Sequence, residues 1–346
     1  MLQFYKGSLA FTFACLALAA VYGWSRFGTI GGTAELVWIV LVLAVLEISL
    51  SFDNAVVNAS VLKDMDDVWQ QRFLTWGMAF AVFGMRIAFP LAIVAIAAGI
   101  GPREALELSL NDPVRYETIV SGAQVGIAGF GGAFLALVGM RFFFDAEKEV
   151  HWIRWIEQQL SSVSSLRSVE IAVLLMALWS ISQMLGSADA LLFLTAGILG
   201  MVAYIAVEAI GTLLEMRETA RAASGAVLRS GLGGFLYLNV LDASFSFDGV
   251  IGAFALSNNM VVIALGLSIG AMFVRSMTIM LVKLGTLDQY RYLEHGAFWA
   301  IVVLAAIMLL SARFHIPETF TGLAGAILIA ASLGWSVRWR QRHPQD

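Results

Sequence analysis

The sequence predicts an all-α, polytopic membrane bundle of about ten spans with an inverted internal repeat. Three observations carry this prediction. The 346 residues are 60% hydrophobic and only 13% charged, with a mean hydropathy of +0.83, whereas soluble domains carry about 25% charged residues. Apolar runs of spanning length recur along the whole chain. An acidic motif appears twice inside those runs, as Glu47-Ile48-Ser49-Leu50-Ser51-Phe52-Asp53-Asn54 and as Asp242-Ala243-Ser244-Phe245-Ser246-Phe247-Asp248-Gly249.

The expected spans are roughly 8–24, 34–60, 73–100, 119–143, 169–185, 190–209, 231–256, 260–283, 296–312 and 318–337. The whole chain, 1–346, reads as one transmembrane domain, with polar loops at about 144–168 and 210–230 that have room for short amphipathic helices. The first span has a secretory look-alike, Lys6 before an apolar run and Ala17-Leu18-Ala19 as a cleavage-like site; the expectation is a retained anchor. Only Gly186-Ser187-Ala188-Asp189 separates the fifth and sixth runs, so a re-entrant pair is the alternative there.

Orientation follows from the 21 Lys and Arg. With ten spans, one side receives only Arg26, Arg103, Arg115 and Arg313; Arg86 and Arg275 lie within spans, and all the others fall on the opposite side. The positive-inside rule then puts both termini in the cytoplasm of a multi-pass plasma (inner) membrane protein of a bacterium.

Composition excludes several functions. A net charge of −4 without a basic tract argues against nucleic acid as a partner. A single cysteine, Cys15, excludes a disulfide framework and a thiolate cluster. The histidines, at 151, 295, 315 and 343, lie near or beyond the ends of apolar runs. No His–carboxylate–nucleophile grouping is apparent in the spans, so the chain does not read as an enzyme, and no prosthetic group is expected. A metal within the membrane would have to be held by oxygen.

The repeat rests on more than the motif. Gly77 and Arg86 follow the first copy, and Gly266 and Arg275 follow the second at the same mutual spacing. The repeat cores are about 34–100 and 231–283, and the span count makes them antiparallel, a common transporter architecture. On an ideal helix Glu47, Ser51, Asn54 and Asn58 form one polar stripe about 60° wide, with Ser49 and Asp53 roughly opposite. Asp242, Ser246 and Gly249 repeat the first line, and Ser244 and Asp248 the second. Such helices belong in the bundle interior, or else break near Asp53-Asn54 and Asp248-Gly249 and expose carbonyls.

Each carboxylate at mid-membrane costs at least about 2.5–3.5 kcal/mol, and intramembrane acids read as functional. Glu47, Asp53, Asp242 and Asp248 against Arg86 and Arg275 leave two negative charges if all are ionised, which a divalent cation would neutralise. The plain alternative is that each acid pairs with an arginine or shares a proton. Asp, Glu, Asn, Ser and carbonyl oxygens suit Mn²⁺, Mg²⁺ or Ca²⁺ as a bound or transported ion, and also fit a proton relay. Ser49, Ser51, Ser244 and Ser246 are supporting donors or small packing residues. Of the remaining features, Pro90 should kink the third span, and Gly129, Gly131 and Gly132 should allow close packing in the fourth. Glu208 should lie at an interface and Asp64, Asp66 and Asp67 in a solvated turn.

The two motifs, the second extended as Ser246 to Ala255, resemble the paired signatures of the TerC integral membrane family. The resemblance is to a longer-chain branch catalogued as a domain of unknown function, within the LysE-type transporter superfamily. It implies efflux of manganese or a related divalent ion, and it implies Glu47, Asp53, Asn54, Asp242 and Asp248 as the metal residues. The copies differ: Asp242 stands where the first has Glu47, and Gly249 where it has Asn54, so the first motif should supply more of the site. The leading expectation is a transporter exporting a divalent cation, foremost manganese. The alternatives are export of a small organic solute, or a non-transporting scaffold that helps load metalloenzymes. Oligomeric state is not legible.

Overall fold

A computed structural model describes residues 2–63, 65–77, 79–144, 150–163, 169–222, 232–253, 256–257, 259–314 and 316–342. Among these the chain is helical, with no strand. The helices are α1 (Leu2–Phe27), α2 (Ile30–Leu50), α3 (Phe52–Leu62), α4 (Asp67–Arg72), α5 (Phe89–Ala98), α6 (Pro102–Asn111), α7 (Pro113–Gly122) and α8 (Gln124–Phe143). They continue as α9 (Arg154–Val163), α10 (Val169–Ser182), α11 (Ser187–Ala222), α12 (Leu232–Ala253), α13 (Met260–Lys283), α14 (Thr286–Gln289), α15 (Leu293–Ser311) and α16 (Glu318–Arg342). Two π-helical stretches, Phe73–Gly77 and Phe80–Ala88, lie between α4 and α5.

Local chemistry sets several boundaries. Gly28 takes a left-handed φ of 62°, and Thr29 then caps α2 by accepting the Gly32 N–H at 3.3 Å. Asp112 caps α7, and Asn259 caps α13 through the N–H of Val261 at 3.0 Å. Asp66, expected in a solvated turn, caps α4 through the Trp69 N–H at 2.9 Å.

Each of the ten expected runs has a helical counterpart, and seven of the helices are long and apolar enough to cross a membrane. One run departs from expectation: α10 has 14 residues, about 21 Å at the helical rise and short of a hydrocarbon core of about 30 Å. α12 has 22 residues and carries the second acidic motif, and α16 has 25 residues and ends on Arg340 and Arg342. The loop expected from 210 is instead helix: α11 continues unbroken to Ala222, and 223–231 lie outside the described residues. The loop at 144–168 does contain a helix, α9, whose buried Glu157 accepts from Trp299 Nε1 at 2.9 Å and from the N–H of Trp152 at 3.0 Å.

Contacts sort onto two ends of the bundle. At one end Lys63 meets Glu294 at 3.4 Å, and His295 Nε2 donates to the Val150 carbonyl at 2.8 Å. At the other, Asn259 Nδ2 donates to Tyr22 Oη at 2.9 Å. Two apolar cores lie between. One gathers Leu36 to Ala44 of α2, Val250 and Ala253 of α12 and Met260 to Ile269 of α13. The other gathers Ala55 to Leu62 of α3, much of α8, Leu238 and Leu241 of α12, Val274 and Leu281 of α13, and α15. The segment between Ala44 and Ala55 belongs to neither core, and it carries the first acidic motif.

The small residues of α8 allow the close packing expected of them. A Cβ on Gly129 would stand 2.6 Å from the Phe193 carbonyl of α11, and one on Gly132 would stand 2.8 Å from Leu309 Cγ of α15. A backbone oxygen cannot yield as a side-chain tip can. Gly129→Ala should therefore cost about 1–3 kcal/mol and lower the thermal unfolding midpoint in detergent. Gly122→Ala, with nothing within 4 Å, should leave it unchanged; equal effects would refute this packing.

Candidate functional site

Glu47, near the end of α2, sits 3% exposed between three helices. Its Oε1 pairs with Arg86 Nη2. Its Oε2 stands 2.6 Å from where a Cβ would lie on Gly249 of α12, and its aliphatic stem fills the corresponding space at Gly270 of α13. Glycine at both positions is thus a steric requirement. Arg86 is 4% exposed, and its Nε donates to the Leu267 carbonyl of α13 at 3.1 Å, so this guanidinium ties α2, α13 and the π segment together.

The π segment has a local cause. Pro90 lacks an N–H, and its ring would strike the carbonyl four residues back, that of Arg86. The helix widens ahead of it: the Phe89 N–H reaches the Gly84 carbonyl, five residues back. The expected kink is therefore a register change, and Arg86 lies within it.

The polar helix breaks at Ser51, with φ −102° and ψ 17°, two residues ahead of the expected Asp53-Asn54 position. α12 runs unbroken through Asp248-Gly249, contrary to the paired break expected there. In the first turn of α3, Asp53 accepts the Asn54 N–H at 3.0 Å, where a carboxylate is also favoured by the helix dipole. Its other oxygen faces α16, 3.2 Å from a Cβ built on Gly325. Asn54 and Asn58, 6% and 3% exposed, each keep a buried Oδ1 without a hydrogen-bond partner. Spaced i, i+4, they share one face of α3.

α12 runs antiparallel to α2–α3. Gly234 packs on Met65, Asp242 lies next to Asn58, and Gly249 packs on Glu47. Asp242, partly buried, also lies in the fields of Arg86 and Glu47. The structure thus brings Glu47, Arg86, Asp242 and Asn58 together and sets Asn54 beside Asn58. Asp53 is turned toward α16, away from this cluster. The side chains of Ser244, Ser246 and Asp248 lie outside the described residues.

Two supporting residues are placed elsewhere. Ser49 is exposed and satisfies itself on the Val45 carbonyl at 2.8 Å. Arg275 is half-buried on α13, with its Nε unpartnered among the described residues; the expected balance of the motifs by two arginines is carried visibly by Arg86 alone. Ser51 is buried at the break. Glu208 is exposed and pairs with Arg141 at 3.4 Å. Asn58, which stood in the polar stripe without a site role, is buried next to Asp242.

Among the described residues, no three His, Cys, Asp or Glu side chains are grouped as a metal site. The donors at hand are mixed, with carboxylates from Glu47 and Asp242 and neutral amide oxygens from Asn54 and Asn58. An apolar cavity of about 520 Å³, lined by Phe80, Met85, Phe89, Asn239 and Ala243 among others, borders α12, and neither Glu47 nor Asp242 lines it.

Removing one partner of a buried ion pair leaves an uncompensated charge, at about 3–5 kcal/mol. Arg86→Gln should destabilise by that order, and Arg86→Gln with Glu47→Gln should recover most of the loss. Thermal or denaturant unfolding in detergent reads both, and additive losses in the double variant would contradict the pairing.

Among curated proteins and among solved structures, no match to the chain was found. A family profile described as "Protein of unknown function (DUF475)" matches residues 52–343. The match covers most of the sequence, and the chain belongs to this family of unknown function.

Proposed function

We propose that the chain is a membrane transporter that exports a divalent metal cation, with Mn²⁺ foremost. The observation that carries this reading is the pair of buried amide oxygens on Asn54 and Asn58, both lacking a donor. Asn58 lies next to Asp242, which is in the fields of Arg86 and Glu47, and Asn54 is one turn away on the same face of α3. A buried acceptor without a partner is costly, and a hard cation supplies what a protein donor does not. Oxygen donors of carboxylate and amide type suit Mn²⁺, Mg²⁺ and Ca²⁺. Glu47 and Asp242 against Arg86 leave a formal negative charge in the cluster when all three are ionised, which favours a cation.

The resemblance of both motifs to the TerC family, and through it to the LysE-type superfamily, supports the same reading. The charge distribution supports a plasma-membrane protein with both termini cytoplasmic. In this reading Asp242, the partly accessible acid, is where the ion enters. Asp53, at the helix break and facing α16, responds to the movement of α3. The same resemblance adds Asp248 of the second motif as a proposed metal residue.

The test is metal content in cells loaded with Mn²⁺, with and without expression of the chain. Wild type should lower intracellular manganese, and Asp242→Asn and Asp53→Ala should return it to the level of cells lacking the protein. The proposal fails if wild type lowers no divalent metal or if both variants export normally.

A further inference from the structure

We propose that Glu170, Tyr204 and Glu208 form a second divalent-cation site, separate from the acidic-motif cluster. The inference goes beyond the transport reading and does not depend on it. Three helices supply the residues. Arg141 stands in the last turn of α8 and Glu170 in the first turn of α10. Tyr204 and Glu208, spaced i, i+4, share one face of α11. All four line one small cavity of about 40 Å³. The ring of Phe142, next to Arg141, packs on His295 at 5.3 Å, so the cavity lies at the end of the bundle that holds the Lys63–Glu294 pair.

Tyr204 points to a ligand independently of the two acids. It is 7% exposed, and its ring packs edge-on against Phe134 with centroids 5.8 Å apart. Its hydroxyl makes no hydrogen bond among the described residues, and it lies in the fields of Glu208, Arg141 and Glu170. A buried hydroxyl left without a partner is costly, and an occupant of the cavity satisfies it. One water needs about 10–15 Å³, so the cavity has room for an ion with a water or two and none for an organic solute. Charge then selects the cation, because two carboxylates face one guanidinium. The Arg141–Glu208 pair, at 3.4 Å, is open to solvent on both sides, and such a pair holds weakly. A divalent ion that displaces Arg141 meets two carboxylates and a hydroxyl, an all-oxygen set suited to Mn²⁺, Mg²⁺ or Ca²⁺. The site also neighbours the second motif helix: α11 packs on α12 so closely that a Cβ on Gly233 would stand 2.8 Å from the Gly211 Cα.

Mn²⁺ is the probe, titrated by equilibrium dialysis into purified full-length protein in detergent, with thermal unfolding to check that each variant is folded. Wild type should bind a second Mn²⁺ besides the one that depends on Asp242. Glu170→Gln should weaken this second ion about tenfold or more, since cation affinity follows ligand charge. Tyr204→Phe keeps the packing on Phe134 and should weaken it severalfold. Arg141→Gln should tighten it, because the competing cation is gone; loss of a merely structural ion pair would not. Asp242→Asn should leave it in place. Should Glu170→Gln not fold, Tyr204→Phe and Arg141→Gln carry the test. If folded Glu170→Gln and Tyr204→Phe bind Mn²⁺ like wild type, or if Arg141→Gln binds more weakly, the cavity holds water only and the proposal is wrong. Loss of all Mn²⁺ binding in Asp242→Asn also overturns it while leaving the transport reading standing. Binding that responds to Glu170 and not to Asp242 does the reverse.

Discussion

The buried pair of Glu47 and Arg86 is the constraint around which the middle of the bundle is arranged. Two opposite charges deep among apolar helices need close contact and further hydrogen bonds to offset their lost hydration. Three helices comply. α13 offers the Leu267 carbonyl and a glycine, Gly270, where the stem of Glu47 passes. α12 offers Gly249, where the carboxylate oxygen passes. The third span changes register just before Pro90, and Arg86 lies in that widened stretch. A side chain at either glycine would expel the acid, so the stability of the bundle and the composition of the site have one origin.

The same pair explains why the site is lopsided. Arg86 pairs with Glu47, and Asp242 has the neutral side chain of Asn58 as a neighbour. The break at Ser51 separates two apolar cores and leaves the polar segment free of both. α3 starts anew there, with Asp53 in its first turn and Asn54 and Asn58 along one face. α12 has no matching break and no asparagine opposite Asn54. The antiparallel motif helices are thus unequal, one broken at Ser51 and one continuous.

Much of this was legible in the sequence. Apolar runs located the helices, because hydropathy over a spanning length depends on composition alone. The polar stripe placed Glu47, Asn54 and Asn58 correctly, because they keep helical phase across a small break. The stripe also put Asp53 on a different line, where the structure has it facing α16. Other features were not legible. Ser49 matched the motif, but it turns outward and bonds Val45, and nothing local distinguishes it from Ser51. Arg275 matched Arg86 in spacing, yet burial and pairing depend on neighbours that a sequence pattern does not name. The continuation of α11 to Ala222 was hidden because a polar helix and a polar loop have similar composition. The docking of Glu157 against Trp299 is a long-range contact with no periodic signal.

The central claim is that the space between Asp242, Asn54 and Asn58 is a divalent cation site. The most direct measurement is an experimental structure of the protein soaked in Mn²⁺, with anomalous scattering recorded at the manganese edge. The account predicts a peak within ligand distance of Asp242 and of the Oδ1 atom of Asn58, on the face of α3 that carries Asn54. No peak there at saturating Mn²⁺ would contradict it.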